Sequence, residues 1–565
     1  MTKIRQPLNI VIAQFNYKLC DYERNIAKIN AAIQQNAEAD LIVFSELAIS
    51  GYYPQDLVEE PNFLARQDEA LQRVLTASKV TQAAIVIGAV TRNEGIGKPL
   101  HNSLLLIRNG EILLTYHKQL LPTYNIFDER RHFEPGENRA AVYEIKGQRV
   151  GFMICEDGWN DAERDYAVNP VRTLANEGVD LIVSINASPS DVGKQRQRHT
   201  LFAAVAQRHG APLIYANQVG ANDQLVFDGG SFLVDPRIGV VHELPLFKEA
   251  VEAVRFDGGF ISNRRRRETP VSDYMDDAEF YYRQIVLGLR DYVEKVGFKG
   301  VVVGSSGGID SALTIALAVD ALGADAVKAI TMPSIYSSEG SVKDSETLCA
   351  NLDVSLYTHE IANIFQTFNG SFSNAFRESS SRLTQENVQA RIRGTILMEF
   401  SNHFGNLVLS TGNKSEMSVG YATLYGDMNG GINLIGDLYK TEVYALARYY
   451  NALHRREVIP RAIIDKEPSA ELSAGQLDTD SLPPYPVLDE ILKLHIEGKR
   501  LRPGEYERAQ AFVEQLHVAG QSPLIEKVLG MIAKAEFKRR QAPPIIRCRS
   551  RAFGNGRQMP IAARF

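Results

Sequence analysis

Seven short runs of apolar, β-branched residues recur across residues 8–236: LNIVIAQF, DLIVFSEL, AAIVIGAV, SLLLIRNG, RVGFMICED, DLIVSINAS and PLIYANQV. A run that is apolar at consecutive positions reads as a strand buried on both faces, and such a strand has to be covered from above and below. Helical patterns over residues 25–37 and 62–78 lie between several of the runs, so the spacing predicts an α/β domain. A second α/β unit follows. It has a helical stretch over residues 277–295, the word GVVVGSSGGIDS, a helix over 312–321 and strand patterns at 326–332 and 407–411. That order predicts a doubly wound, mostly parallel sheet, whose ligands collect at the carboxyl ends of the strands.

A chain of 565 residues exceeds one ordinary domain. The polar stretch 262–277, with its basic run at 264–267, reads as a linker between a unit at 1–261 and a unit at 278–565. With 44% hydrophobic and 23% charged residues, both units can bury a core. A net charge of -6 argues against nucleic acid and against an anionic membrane surface as partner. No segment approaches the roughly 20 apolar residues of a membrane span. The cysteines, Cys20, Cys155, Cys349 and Cys548, are scattered without a C-x-x-C pair, so neither a disulfide framework nor a zinc site follows. The cytoplasm is the expected compartment. Residues 465–486 and 538–565 lack periodicity and are rich in Pro, or in Arg and Gly, and read as irregular lids or contact arms.

Three residues at the ends of apolar runs suggest one chemistry. Cys155 closes RVGFMI and precedes Glu156-Asp157-Gly158, a strand-to-loop turn that presents its sulfur. A thiol is a weak nucleophile until it loses its proton, and the cation of Lys118, at the end of EILLTYHK, would lower its pKa. Glu46, at the end of DLIVFSEL, would take the proton. A cysteine after a buried strand is usually only a small packing residue, but the surrounding words add to it. FSELAISGYYPQDL, HKQLLPTYNIFDERRHF and MICEDGW resemble the nitrilase, or carbon–nitrogen hydrolase, superfamily over residues 8–257. The resemblance implies an αββα sandwich with Glu46 as general base, Lys118 as oxyanion and thiolate stabiliser and Cys155 as nucleophile. Within that superfamily the segments are most similar to glutaminase domains, which implies that Tyr124, Ser188 and Lys194 grip the glutamine substrate.

VVVGSSGGIDSALT is a strand, a Gly/Ser loop and a helix start, which aims backbone N–H groups and the positive helix end at a phosphate. The lysine of a Walker A loop is absent. Residues Gly304, Ser305, Ser306, Gly307, Gly308, Ile309, Asp310 and Ser311 instead resemble the pyrophosphate loop of the N-type ATP pyrophosphatases, which adenylate an oxygen and let nitrogen displace AMP. Asp310, with Glu416 downstream, would hold Mg²⁺ on the leaving pyrophosphate. TGNKSE, YGDMNGGINLIGDLYKTEVY, EPSAEL and LPPYPVLDEIL resemble the NAD synthetase family. That resemblance implies ATP as co-substrate and amidation of nicotinic acid adenine dinucleotide. It places Thr411, Lys440 and Ser469 at ATP, and Asn387, Glu416 and Lys538 at the dinucleotide. Lys414 and Lys440 are cations available to the phosphates. The family also suggests a homo-oligomer. An RNA-modifying enzyme with the same loop type would need a catalytic cysteine in the C-terminal half and a basic surface, which the net charge of -6 opposes.

The loop makes a direct statement about products. Given ATP, Mg²⁺, glutamine and nicotinic acid adenine dinucleotide, the protein is expected to release AMP and pyrophosphate in step with the amide, as read by phosphorus NMR. ADP and phosphate as stoichiometric products would overturn the reading of the loop.

Overall fold

The computed structural model describes residues 5–261 and 269–563. The basic run at 264–267 lies outside the described residues. The chain divides into two compact units, residues 1–274 and 275–565.

The N-terminal unit is built on two sheets. The first, of seven strands, runs in the spatial order Phe260–Ile261, Ala250–Phe256, Leu8–Gln14, Leu41–Val43, Ala84–Arg92, Leu100–Arg108 and Glu111–His117. The second, of six, runs Gly239–Glu243, Phe232–Asp235, Leu213–Asn217, Leu181–Asn186, Gln148–Ile154 and Ala141–Ile145. In each sheet the central strands are parallel and the outer ones antiparallel. Ile10, Val43, Val86 and Leu104 of the first sheet share one core with Phe152, Ile154, Val183 and Ile214 of the second. Helices Tyr22–Gln35 and Phe63–Ala77 pack on the other face of the first sheet, and Pro170–Asn176 and Lys194–His209 cover the second. This is the αββα sandwich. It explains the unbroken apolar runs, since the central strands have a sheet on one side and helices on the other.

The C-terminal unit holds a five-stranded sheet in the order Ser355–Thr358, Val327–Thr331, Val301–Gly304, Leu407–Ser410 and Ile432–Asn433. Every pairing in it is parallel, where the sequence predicted a mostly parallel sheet. The helix after Val301–Gly304 starts at Ile309, three residues before the predicted start, because Gly308 supplies the extended N-cap. Asp310 and Ser311 therefore stand in the first helical turn and not in the loop. Between the helices Arg461–Asp465 and Tyr485–Ile496 the only helical element among the described residues is the single turn Asp478–Asp480. The far C-terminal stretch, read from the sequence as an irregular lid or contact arm, packs into the core of its unit in part. Ile545 pairs with Asn433 at the sheet edge, and Ile546, Cys548 and Arg549 are buried.

One close approach sets the position of Glu46. After Leu41–Val43 the chain turns tightly against the neighbouring strand, with the Gly88 N–H donating to the Ser45 carbonyl at 3.1 Å. A Cβ at Gly88 would lie 2.1 Å from the Leu47 nitrogen and 2.7 Å from the Glu46 Cα. Both are backbone atoms, so the chain has to shift to make room. Gly88→Ala is expected to cost about 1–3 kcal/mol of stability by urea unfolding, as overpacking does. An unchanged midpoint would show that the turn relaxes freely.

Candidate functional site

Lys118 directly follows the strand Glu111–His117, and its side chain is 0% exposed. Its ammonium donates to Glu46 Oε1 at 2.7 Å and to Glu129 Oε1 at 2.8 Å. Glu46 is held from three sides. Its Oε1 also accepts from Asn102 Nδ2 at 2.8 Å, and its Oε2 accepts from the Ala187 N–H at 2.9 Å. The Tyr52 hydroxyl donates to Glu129 Oε1 at 2.7 Å. Burial works against the Lys118 charge, but Glu129 and Glu46 outweigh it and hold the ammonium well above its ordinary pKa. Burial pushes the Glu129 carboxyl up to about 7, against the pull of Lys118.

Cys155 follows the strand Gln148–Ile154 with a left-handed backbone, φ 42°, a conformation that costs a side-chain-bearing residue about 1–3 kcal/mol. Asp157 braces this turn. Its carboxylate accepts the N–H groups of Gln119 at 3.0 Å, Leu120 at 2.9 Å and Ile154 at 3.1 Å, together with the Tyr116 hydroxyl at 2.8 Å. One carboxylate thus ties the Cys155 turn to the strand end that carries Lys118. The expected lowering of the thiol pKa is not found. Burial, followed by the negative charge of Glu46, raises it well above its ordinary value, and Lys118 offsets only part of this. The resting thiol keeps its proton, so a base has to remove it.

Tyr124 and Lys194 converge on Glu156, the residue after Cys155. The Tyr124 and Tyr166 hydroxyls each reach a Glu156 oxygen at 3.0 Å. Burial raises the Glu156 pKa, while the charges of Lys118 and Lys194 act against it. The Lys194 ammonium lies 4.0 Å from the centre of the Trp159 ring. Ser188 follows the parallel neighbour strand Leu181–Asn186, in which Ile185 pairs with Ile154. It is buried, and its Oγ accepts from Arg198 Nε at 3.3 Å.

In the C-terminal unit a cavity of about 460 Å³ opens at the carboxyl ends of the parallel strands. Gly304, Ser305, Ser306, Gly308, Ile309, Asp310, Ser311, Asn387, Thr411, Glu416, Lys440, Ser469 and Lys538 all line it. Gly307 is absent from the lining. It shapes the loop from behind, at φ 71°, where a Cβ would stand 2.3 Å from the Ser341 carbonyl oxygen. Several hydroxyls lining the cavity are engaged within the protein. Ser305 Oγ donates to Ser345 Oγ at 2.8 Å, Ser311 Oγ to the Gly308 carbonyl at 3.1 Å, and Ser469 Oγ to the Gln476 carbonyl.

Lys440, the first residue of the helix Lys440–His454, places its ammonium 2.5 Å from Asp310 Oδ2 and 3.1 Å from Glu416 Oε1. Asn413 caps the helix Lys414–Val419 and also donates to Asp310 Oδ1 at 3.1 Å. Burial pushes the Glu416 carboxyl up to about 7, with Lys440 opposing. Asp478 also acts on Glu416, and its Oδ2 accepts from the Tyr485 hydroxyl at 2.7 Å. These donors are oxygens gathered about a cation, so in type they fit a hard divalent ion. Lys414 contradicts the sequence reading. It is buried away from the cavity, bonded to Asp437 at 2.8 Å, Glu497 at 3.3 Å and the Arg551 carbonyl at 2.8 Å.

Sequence reasoning missed Glu129, Asn102, Asp157, Asn413 and Asp478. Glu129 lies inside the quoted segment HKQLLPTYNIFDERRHF, yet beside Asp128 and Arg130 it reads as part of a charged surface turn.

A carbon–nitrogen hydrolase family model matches residues 9–265, and an NAD synthase family model matches residues 281–542. A glutamine-dependent NAD(+) synthetase of Synechocystis is 42% identical over 98% of this chain and 99% of its own. One of Thermotoga maritima is 39% identical over 99% of each. The solved glutamine-dependent NAD+ synthetase of Acinetobacter baumannii, in complex with adenosine diphosphate, is 37% identical and covers 98% of both chains, with a TM-score of 0.76.

The raised thiol pKa at Cys155 has a chemical readout. Alkylation of Cys155 by iodoacetamide, followed by peptide mass spectrometry, is expected to accelerate continuously from pH 6 to above the ordinary thiol pKa of about 8.5. The reactive thiolate is the minor form throughout that range. A plateau reached near neutral pH would mean that Lys118 prevails and the thiolate is already formed.

Proposed function

The chain belongs to the glutamine-dependent NAD(+) synthetases, and from that premise we propose how its residues divide the work. Residues 1–261 hydrolyse glutamine and residues 278–565 perform the ATP-dependent amidation, with 262–277 as linker. The observation that carries the first half is the buried Lys118 held between Glu46 and Glu129, whose charges act on a protonated Cys155 thiol.

Tyr124, Ser188 and Lys194 hold the α-amino and α-carboxylate groups of glutamine, and Glu156 orients Tyr124. As the Cys155 sulfur attacks the side-chain amide carbon, its proton passes to Glu46. The Lys118 ammonium faces the oxygen that becomes negative. Glu46 returns the proton to the departing nitrogen, the C–N bond breaks, and ammonia leaves behind a glutamyl thioester. Water, deprotonated by the same carboxylate, cleaves the thioester to glutamate and the free thiol.

In the second cavity the 304–311 loop, Thr411, Lys440 and Ser469 hold ATP, and Asn387, Glu416 and Lys538 hold nicotinic acid adenine dinucleotide. A pyridine carboxylate oxygen attacks the α-phosphorus and expels pyrophosphate. Ammonia then adds to the acyl carbon and AMP leaves, giving NAD. Asp310 and Glu416 would hold Mg²⁺, which when bound would supply charge neutralisation to the pyrophosphate leaving group. Lys440, now paired with both carboxylates, is the chain's own cation at that place. A homo-oligomer in the cytoplasm belongs to the same reading.

Cys155→Ala separates the two activities. The variant is expected to lose glutamine-dependent NAD formation, since alanine has no nucleophile, and to retain synthesis from ammonium salts near the parent rate. That rate should rise with pH as free ammonia increases. Continued use of glutamine at the parent rate would remove Cys155 from the mechanism. Loss of both nitrogen sources in the folded variant would show that the two units do not work separately.

A further inference from the structure

Four cationic side chains line the cavity of the C-terminal unit: Lys440, Lys466, Lys538 and Arg393. Three of them have their charge or most of their donors engaged. Lys440 is paired with Asp310 and Glu416. Lys466 is paired with Glu471 at 3.2 Å. Lys538 donates to the carbonyls of Gly420 at 2.8 Å and Ala422 at 2.7 Å.

Arg393 is different. It projects from the helix Arg382–Phe404, and its Nε donates to the Met332 carbonyl at 3.0 Å. Neither terminal nitrogen has a hydrogen-bond or ion-pair partner among the described residues. A guanidinium carries five N–H donors in a planar fork, and one carbonyl uses one of them. Burial lowers the Arg393 pKa to about 10, with the charges of Glu471 and Asp427 acting against it. A side chain placed merely to cap a carbonyl would not need a second, unused edge. Its anchor is also positioned. Gly304, where the Gly/Ser loop begins, pairs with Ile330 on the neighbouring strand Val327–Thr331, and Met332 directly follows that strand's end. Arg393 thus stands at the same strand-end edge as the loop.

We infer that Arg393 binds phosphate oxygens of a nucleotide in this cavity, through the terminal edge of its guanidinium. The Met332 carbonyl holds the stem and the fork grips the anion, which a planar bidentate donor does better than the point charge of a lysine. The inference rests on the reading of this cavity as the site of ATP and of the dinucleotide, and either could supply the phosphate.

The test uses the full chain with ammonia as nitrogen source, so that glutamine hydrolysis is not involved. Arg393→Gln is expected to raise the KM for one of the two nucleotides by about tenfold to a hundredfold, as loss of a charged hydrogen-bonded contact does, with kcat changing less. Arg393→Lys, which keeps the charge and can still reach the Met332 carbonyl, should lie between the parent and Arg393→Gln. Millimolar guanidinium should partly restore Arg393→Gln. Calorimetric titration of each protein with ATP alone and with the dinucleotide alone identifies the source of the phosphate. KM values within twofold of the parent for both nucleotides would overturn the inference, as would a fall in kcat with both unchanged. If Arg393→Gln does not fold, Arg393→Lys decides by the same criteria. If the parent makes no NAD, the reading of the cavity fails, while the ATP titrations still decide the role of Arg393.

Discussion

A lysine ammonium without access to water, bonded to two carboxylates, is the interaction on which the N-terminal site depends. Glu129 and Glu46 flank the buried Lys118 ammonium at 2.8 and 2.7 Å and hold its charge in place against the cost of burial. Removing one member of such a group typically costs about 3–5 kcal/mol, because an uncompensated charge is left behind. The arrangement also decides the state of the nucleophile. Burial first, and then the charge of Glu46, raise the Cys155 thiol well above its ordinary pKa, and Lys118 offsets only part of this.

The C-terminal cavity repeats the motif with a different purpose. Lys440 bridges Asp310 and Glu416, residues that come from two helix N-termini, and Lys440 itself begins a third. Three positive helix ends thus meet where phosphates are expected to lie. Behind them sits a second charged layer that takes no part in the cavity. Arg549 bonds Glu497 at 2.7 Å, Glu505 at 2.6 Å, the Tyr281 hydroxyl at 3.0 Å and Glu442. Glu442 in turn accepts the Tyr439 N–H at 2.9 Å, one residue before Lys440. The irregular C-terminal stretch is thereby part of the scaffold that holds the cavity's helices.

Close backbone contact complements these charges. Gly88 lets the Glu46 turn sit directly on the neighbouring strand, and Gly307 lets the phosphate loop press against Ser341. In both places two backbone segments can touch because one of them has no side chain there.

The sequence by itself determined the two α/β units, the buried strands and the strand-end placement of Glu46, Lys118 and Cys155, because unbroken apolar runs and the residues that end them are local features. It also located the Gly/Ser word at 304–311, of which residues 309–311 prove to be the start of the helix, and the words that relate the chain to two families. Tertiary structure decided what those residues meet. Glu129 is far from Glu46 in sequence and reaches it only through Lys118, and Asp157 acts by bonding to Gln119 and Leu120 on another segment. Lys414 and Lys440 look alike as basic residues beside a phosphate loop, yet one is buried in a structural network and the other faces the cavity. The protonation state of Cys155 was likewise beyond the sequence, because it depends on how many buried charges of each sign the fold brings near one sulfur atom.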